Sequence, residues 1–115
     1  MSPNRMSHEL RHVDGTAVVS FRGEIDLENS PAAREVLLSC VRTGRHLAVD
    51  LSAVEYIDSS GIASLVEAFQ EARKRGSRFS LVAVSPPALR VLELARLDRV
   101  FTLHANLEEA LADAG

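Results

Sequence analysis

The chain has a single cysteine, Cys40, and no tryptophan. One cysteine cannot close an intrachain disulfide, and without a second no cysteine pair marks a metal site. Cys40 falls on the apolar face of an expected helix, where a buried structural thiol is a simpler reading than a nucleophile. Aromatic residues make up only 4% of the sequence, so the core must be packed with Leu, Val, Ile and Ala. Clustered bases are also scarce. The net charge is −3, which argues against a nucleic-acid-binding surface. The one short basic run, Arg73-Lys74-Arg75 with Arg78 beyond Gly76, lies at an expected helix C-terminus. Cations there complement the helix dipole, so a solvated helix end is preferred to a docking patch. No stretch approaches the roughly 18 consecutive apolar residues of a membrane span. The N-terminal MSPNRMSHEL contains no apolar run of signal-peptide length. A soluble, cytoplasmic protein without a membrane partner is the expectation.

What is present suits one globular domain. The length of 115 residues allows a single core, and 46% apolar with 25% charged residues is ordinary for a folded soluble chain. Residues 1–6 are polar and expected to be disordered, with the domain spanning 7–113. Two strand-like runs flank Asp14-Gly15, a hairpin signal. In the second, Ala17, Val19 and Phe21 alternate with Val18, Ser20 and Arg22; Gly23 is expected to end it, and Glu24–Glu28 to follow as an acidic loop. Ser30-Pro31 reads as an N-cap and first helical residue, with Ala33, Val36, Leu37, Cys40 and Val41 at helical spacing over 30–43. Leu47–Leu51 is short and nearly all apolar, as in a central strand covered on both faces. Ile62, Leu65, Val66, Phe69 and Ala72 form the stripe of a second helix stopped by Gly76. A strand is expected over Phe79–Val84, a short helix through Ala88, Val91, Leu92 and Ala95, and a last strand over Val100–Leu103. Asn106 with Glu109 resembles a capping box opening a final helix. The order β-β-α-β-α-β-α-β-α implies an α/β fold: a mixed, mostly parallel sheet of five strands with four helices packed against it.

A search for catalytic chemistry finds little. His8, His12, His46 and His104 are dispersed, and His8 and His12 lie in an expected strand, where four residues separate them by about 13 Å. Ser59 and Ser60 have no nearby histidine and no G-x-S-x-G elbow. Asp50 falls inside a strand and Asp58 after an expected loop, so nothing pairs their carboxylates. No Gly-rich phosphate loop is present. Neither a catalytic residue nor a metal site is assigned, and the chain is read as a non-enzyme.

The stretch Asp58-Ser59-Ser60-Gly61 interrupts this pattern where a buried strand hands over to a helix. Two readings stand. Asp58 or Ser59 could simply cap the helix, satisfying one of its free N–H groups. That leaves Gly61 unexplained, because glycine in a helix costs about 1 kcal/mol relative to alanine. The second reading is an exposed serine approached by a partner, at the strand end where α/β folds place function.

The segment AVDLSAVEYIDSSGIASL resembles the signature of STAS domains, in particular bacterial anti-sigma factor antagonists of the sporulation and general stress-response type. Upstream, FRGEIDLENSP is similar to that family's Gly-Glu-apolar-Asp loop before the first helix. The resemblance runs from about His8 to Leu111. It implies a STAS fold and a partner-switching function. The first serine of the motif, Ser59 here, would be phosphorylated by an anti-sigma factor that is a serine kinase of the histidine-kinase-like ATPase fold. The unphosphorylated protein would bind that factor and release a sigma factor; the phosphorylated form would not bind. A PP2C-like phosphatase would restore the active state. ATP and Mg²⁺ would belong to the kinase, so no cofactor is expected in this chain.

On the same resemblance Glu24 and Asp26 are expected to contact the partner; from sequence alone they are equally an exposed acidic loop. Asp58 would make the patch acidic, Ser60 would support the turn with a minor contact, and Gly61, lacking a Cβ, would let the partner approach the backbone. A phosphate on Ser59 is expected to meet free N–H groups at the helix N-terminus, without unfolding the domain. Ala63-Ser64, where relatives often carry a second glycine, and the bulky, polar Glu55-Tyr56 bear on partner choice. The alternative function is a non-switching STAS scaffold or accessory module of a stress-sensing or lipid-transport assembly. A small-molecule or nucleotide-binding domain would need the phosphate loop that is missing.

Overall fold

The computed structural model describes residues 5–44 and 46–114. Of the stretch 1–6 expected to be disordered, residues 1–4 lie outside the described residues. Arg5 and Met6 are already engaged: the Arg5 carbonyl accepts a hydrogen bond from the Glu24 amide at 2.9 Å, and Met6 opens the first strand. Among the described residues there are five strands and four helices: β1 (Met6–Val13), β2 (Thr16–Ile25), α1 (Ser30–Arg42), β3 (His46–Ile57), α2 (Ser59–Lys74), β4 (Phe79–Val82), α3 (Pro86–Leu94), β5 (Thr102–His104) and α4 (Leu107–Ala114). The strands lie side by side in chain order, β1 antiparallel to β2 and every other pair parallel. This is the expected mixed α/β sheet.

The β1–β2 turn follows from its two residues. Asp14 and Gly15 both take positive φ, +50° and +81°, as a two-residue hairpin matched to strand twist requires. Gly23, by contrast, does not end β2. It has φ +93°, lies at a register shift, and its missing Cβ leaves room for the Arg5 carbonyl, which a side chain would strike. The strand bulges there and runs on to Ile25, so Glu24 and Ile25 belong to the sheet rather than to a loop.

The central strand is also longer than expected. β3 runs past Leu51 to Ile57 because it keeps pairing with the extended β2, and Val54 and Ile57 continue its buried side. No loop separates it from α2. Two smaller shifts have local causes. Ala83 at φ +51° stops β4 two residues early, and Phe101 leaves the last strand to pack its ring on Phe69 and Phe79, with centroids 5.3 and 6.0 Å away. α1 is capped by Asn29 rather than Ser30, with no side-chain cap bond.

The main core lies on one sheet face. Ala17, Val19, Phe21, Leu47, Val49, Leu51 and Leu81 pack there against Leu37, Val41, Leu65 and Ala68 of α1 and α2, and against Ala88 and Leu92 of α3. On the other face α4 sets Ala110 over Val18, Ala48 and Val82. The capping box appears at its start: the Glu109 amide donates to Asn106 Oδ1 at 2.9 Å, and Glu109 Oε1 accepts from the Ala105 amide at 3.1 Å. Cys40 is buried in the core. Among the described residues no helix is long and apolar enough to cross a membrane, and no cluster of His, Cys, Asp and Glu could hold a metal ion.

Candidate functional site

β2 and β3 run parallel and finish level, with Ile25 opposite Ile57. Their ends therefore deliver two connections to one place: Asp26–Asn29, leading into α1, and Asp58, leading directly into α2. The Asp58 amide donates to the Ile25 carbonyl at 3.3 Å, closing the seam. This is the carboxyl edge of a parallel sheet, the usual location of α/β sites.

Asp58 organises the junction. It has extended backbone angles and caps α2. Its Oδ1 accepts from the amides of Ser60 (3.0 Å) and Gly61 (3.2 Å) and from the Ser60 hydroxyl (2.5 Å). Its Oδ2 accepts from the Leu27 amide at 3.1 Å. Burial opposes ionisation of this carboxyl, but the Ser60 hydroxyl and the Gly61, Ser60 and Leu27 amides outweigh it, so its pKa lies below the ordinary value of 3.8. The capping reading of the motif is thus correct, and Asp58 is the capping residue.

Ser59 and Ser60 divide the remaining roles. Ser60 is half-buried with its hydroxyl tied to Asp58, whereas Ser59, the first residue of α2, is exposed and its hydroxyl has no hydrogen-bond partner among the described residues. The amides here are less available than expected. Those of Ser60 and Gly61 are held by the Asp58 carboxylate and that of Ile62 by the Asp58 carbonyl at 3.0 Å. Of the N–H groups expected to receive a phosphate, those of Ser60 and Gly61 are therefore occupied.

Gly61 also has a different purpose from the expected one. It is buried, and a Cβ on it would stand 2.6 Å from both the Ile25 carbonyl oxygen and Ile57 Cγ1. The missing side chain admits the protein's own β2 end, not an outside surface. The helix penalty of glycine is offset by this close approach.

The acidic connection is likewise partly internal. Asp26 is only 9% exposed; its Oδ1 accepts from the amides of Glu28 (3.1 Å) and Asn29 (3.0 Å), and its carbonyl accepts from Ser30 (2.8 Å). The Asn29 side chain donates to the Glu24 carbonyl at 3.0 Å. Glu24 is half-buried and Glu28 exposed. Ser64 is buried, its hydroxyl donating to the carbonyls of Ser60 (3.2 Å) and Ser30 (3.3 Å), so it ties the starts of the two helices together. Outside this contact, Arg34 and Glu67 form a two-pronged pair between α1 and α2, both bonds 2.7 Å.

Two apolar side chains emerge around this scaffold: Leu27, 76% exposed, and Tyr56, 48% exposed. Leu27 escaped the sequence reading because one leucine in an acidic stretch carries no periodicity. Its signal was its place between Asp26 and Glu28, two residues that face inward and outward respectively. Asp50 is remote from the site. It lies in β3 with Oδ1 accepting from the Ser52 amide at 2.8 Å, eight residues and roughly 25 Å of extended strand from Asp58.

Fold and site together define a small α/β domain whose distinctive feature is a displayed hydroxyl on a rigid acidic corner, rather than a pocket. The chain belongs to the STAS domain family, whose model matches residues 7–110. It is 32% identical over 111 residues to the anti-sigma-F factor antagonist RsfB of Mycobacterium tuberculosis, covering 96% of this chain and 90% of that one. It is 30% identical over 100 residues to the anti-sigma-B factor antagonist of Bacillus subtilis, covering 87% and 92%. The crystal structure of an anti-sigma factor antagonist from Mycobacterium paratuberculosis superposes with a TM-score of 0.90 at 32% identity, over 98% of this chain and 97% of the other.

Proposed function

We propose that the protein is an anti-sigma factor antagonist controlled by phosphorylation of Ser59. In the unphosphorylated state it binds an anti-sigma factor and so releases a sigma factor; phosphate on Ser59 ends that binding. The observation that carries the reading is the contrast between the two serines: Ser60 Oγ is committed to Asp58, while Ser59 Oγ is exposed and unengaged at a helix start. Relatives of near-equal length that are anti-sigma factor antagonists support the role.

The chemistry belongs to the partner, a serine kinase that brings ATP and Mg²⁺. Ser59 Oγ attacks the γ-phosphorus, the O–P bond forms as the bond to the β,γ-bridging oxygen breaks, ADP leaves with that electron pair, and the hydroxyl proton passes to a base of the kinase. A PP2C-like phosphatase reverses the modification with water. The present chain acts as substrate and binding module, in the cytoplasm where sigma factors work, and not as an enzyme. Glu24, Leu27, Glu28, Tyr56 and Ser59 supply the surface that meets the partner. Asp26, Asp58, Ser60 and Gly61 hold that surface in shape from beneath.

The phosphate adds about −1.5 to −2 charges at neutral pH beside Asp58 and the acidic connection. Repulsion and desolvation at the partner's surface then oppose binding while the fold stays intact. The test is to incubate the protein with candidate anti-sigma kinases and ATP and to map the phosphate by mass spectrometry. Phosphate on Ser59, absent from Ser59→Ala, is expected. Stable binding without phosphate at Ser59 across all such kinases would replace this reading with a non-switching scaffold.

A further inference from the structure

A helix N-terminus is ordinarily a ready place for an anion, because its first amides point outward unpaired. In this protein that place is filled from within. The Asp58 carboxylate takes the amides of Ser60 and Gly61 on Oδ1, and it is held there by two further donors, the Ser60 hydroxyl and the Leu27 amide of the neighbouring segment. Displacing it from those amides would leave a carboxylate beside the incoming phosphate with only the Ser60 hydroxyl and the Leu27 amide as donors. The stretches nearest the corner are acidic: Glu24 at the end of β2, Asp26 and Glu28 in the β2–α1 connection and Glu55 in β3, while Arg34 of α1 is paired with Glu67.

We infer that Asp58 is the positioning residue of the switch: by occupying the Ser60 and Gly61 amides at the start of α2, it denies them to a phosphate on Ser59 and keeps that phosphate displayed at the surface. This rests on the reading of Ser59 as the phosphoacceptor. It accounts for the acid in the motif beyond capping. A neutral cap such as serine or asparagine would hold the helix as well but would lower the charge that the phosphorylated surface presents. With no cap side chain at all, the phosphate would fold down onto the helix and be partly neutralised.

The test reads the phosphate itself. Phosphoserine is installed at position 59 by genetic encoding or ligation, so the measurement does not depend on any cellular kinase. Its second ionisation is followed by phosphorus NMR in the wild type, Asp58→Asn and Asp58→Ala. A neighbouring carboxylate raises that pKa and amide donors lower it. The expected order is wild type highest, Asp58→Asn intermediate and Asp58→Ala lowest, the extremes differing by about half a pH unit or more. Amide proton shifts of Ser60 and Gly61 should follow the phosphate titration in Asp58→Ala and stay fixed in the wild type. Equal phosphate pKa values in wild type and variants, or Ser60 and Gly61 amides that titrate with the phosphate in the wild type, would overturn the inference. If Asp58→Ala does not fold, the wild-type amides and Asp58→Asn still decide it. Failure of kinases to modify Ser59 would remove the proposed function and leave this measurement standing.

Discussion

The Asp58 carboxylate accepts the Leu27 amide at 3.1 Å across thirty-one residues of sequence. That bond joins the β2–α1 connection to the start of α2, beside the Ser64–Ser30 hydrogen bond and the packing of Gly61 on Ile25. Leu27 is thereby held with its side chain in solvent, and Ser59 is exposed next to Asp58. A partner reading both must meet them at a fixed spacing. The capping residue of α2 is thus also the strut of the acidic connection.

Removing that strut has a pH signature. The Asp58 pKa is depressed in the folded protein by its four donors, against the opposing effect of burial. A depressed carboxylate contributes stability that is fully present above its unfolded value, near 3.9, and is lost as pH falls through the folded value. Asp58→Ala should lower stability at pH 7 by about 1–3 kcal/mol, combining a lost helix cap with an orphaned Leu27 amide. The deficit should shrink as the pH falls below about 4. Urea unfolding at pH 7 and below pH 4 checks both; an unchanged deficit in acid would contradict the ionised-cap account.

Gly61→Ala separates internal packing from partner approach. Alanine favours the helix by about 1 kcal/mol, yet its Cβ would lie 2.6 Å from the Ile25 carbonyl and from Ile57 Cγ1. Overpacking of this kind costs about 1–3 kcal/mol or more. The net expectation is a lower thermal midpoint for the isolated protein, without any partner present. A midpoint equal to or above the wild type would mean that the glycine serves an outside surface after all.

The switch predicts opposite fates for two variants of one serine. Ser59→Ala should bind the anti-sigma factor with near wild-type affinity and accept no phosphate. Ser59→Asp places a permanent charge beside Asp58 and should weaken binding by roughly tenfold or more, about 1.4 kcal/mol. Both should fold normally, since the Ser59 side chain is exposed and unbonded. Isothermal titration against the anti-sigma factor distinguishes them. Undiminished affinity of Ser59→Asp would defeat the charge mechanism.

The fold was legible where local chemistry decides it. Asp14-Gly15 specified its hairpin turn, the apolar stripes of α1 and α2 gave the core-facing sides, and Asn106 with Glu109 marked the last helix. The errors cluster at the site. Gly23 looked like a strand stop because glycine is a local structure breaker and an acidic stretch follows it; here it sits at a bulge, and the pairing of Glu24 and Ile25 with β3 shows that β2 continues. β3 in turn looked short because Ser52, Glu55 and Tyr56 interrupt its apolar run beyond Leu51. At the motif the sequence identified Ser59 as the residue to watch, but not the division of labour below it. That Gly61 fits the end of β2 and that Asp58 reaches Leu27 are long-range facts. No window of neighbouring residues contains them.

Leu27 provides the test of surface without switch. Its side chain is 76% exposed and its backbone is fixed by Asp58, so truncation removes apolar surface from a rigid position without opening a cavity. Leu27→Ala should change the stability of the free protein by less than about 0.5 kcal/mol, as surface substitutions do. As the apolar anchor of the surface, Leu27 would belong to the minority of interface residues whose truncation costs more than about 1 kcal/mol, so affinity for the anti-sigma factor should fall by roughly fivefold or more. The phosphorylation rate at Ser59 should fall with it at subsaturating kinase, since the same surface docks the substrate. Unfolding curves, titration calorimetry and single-time-point phosphate incorporation measure the three effects separately. Loss of stability together with binding would make Leu27 a structural residue, and unchanged binding would remove it from the interface and leave the acidic corner and Tyr56 to carry recognition.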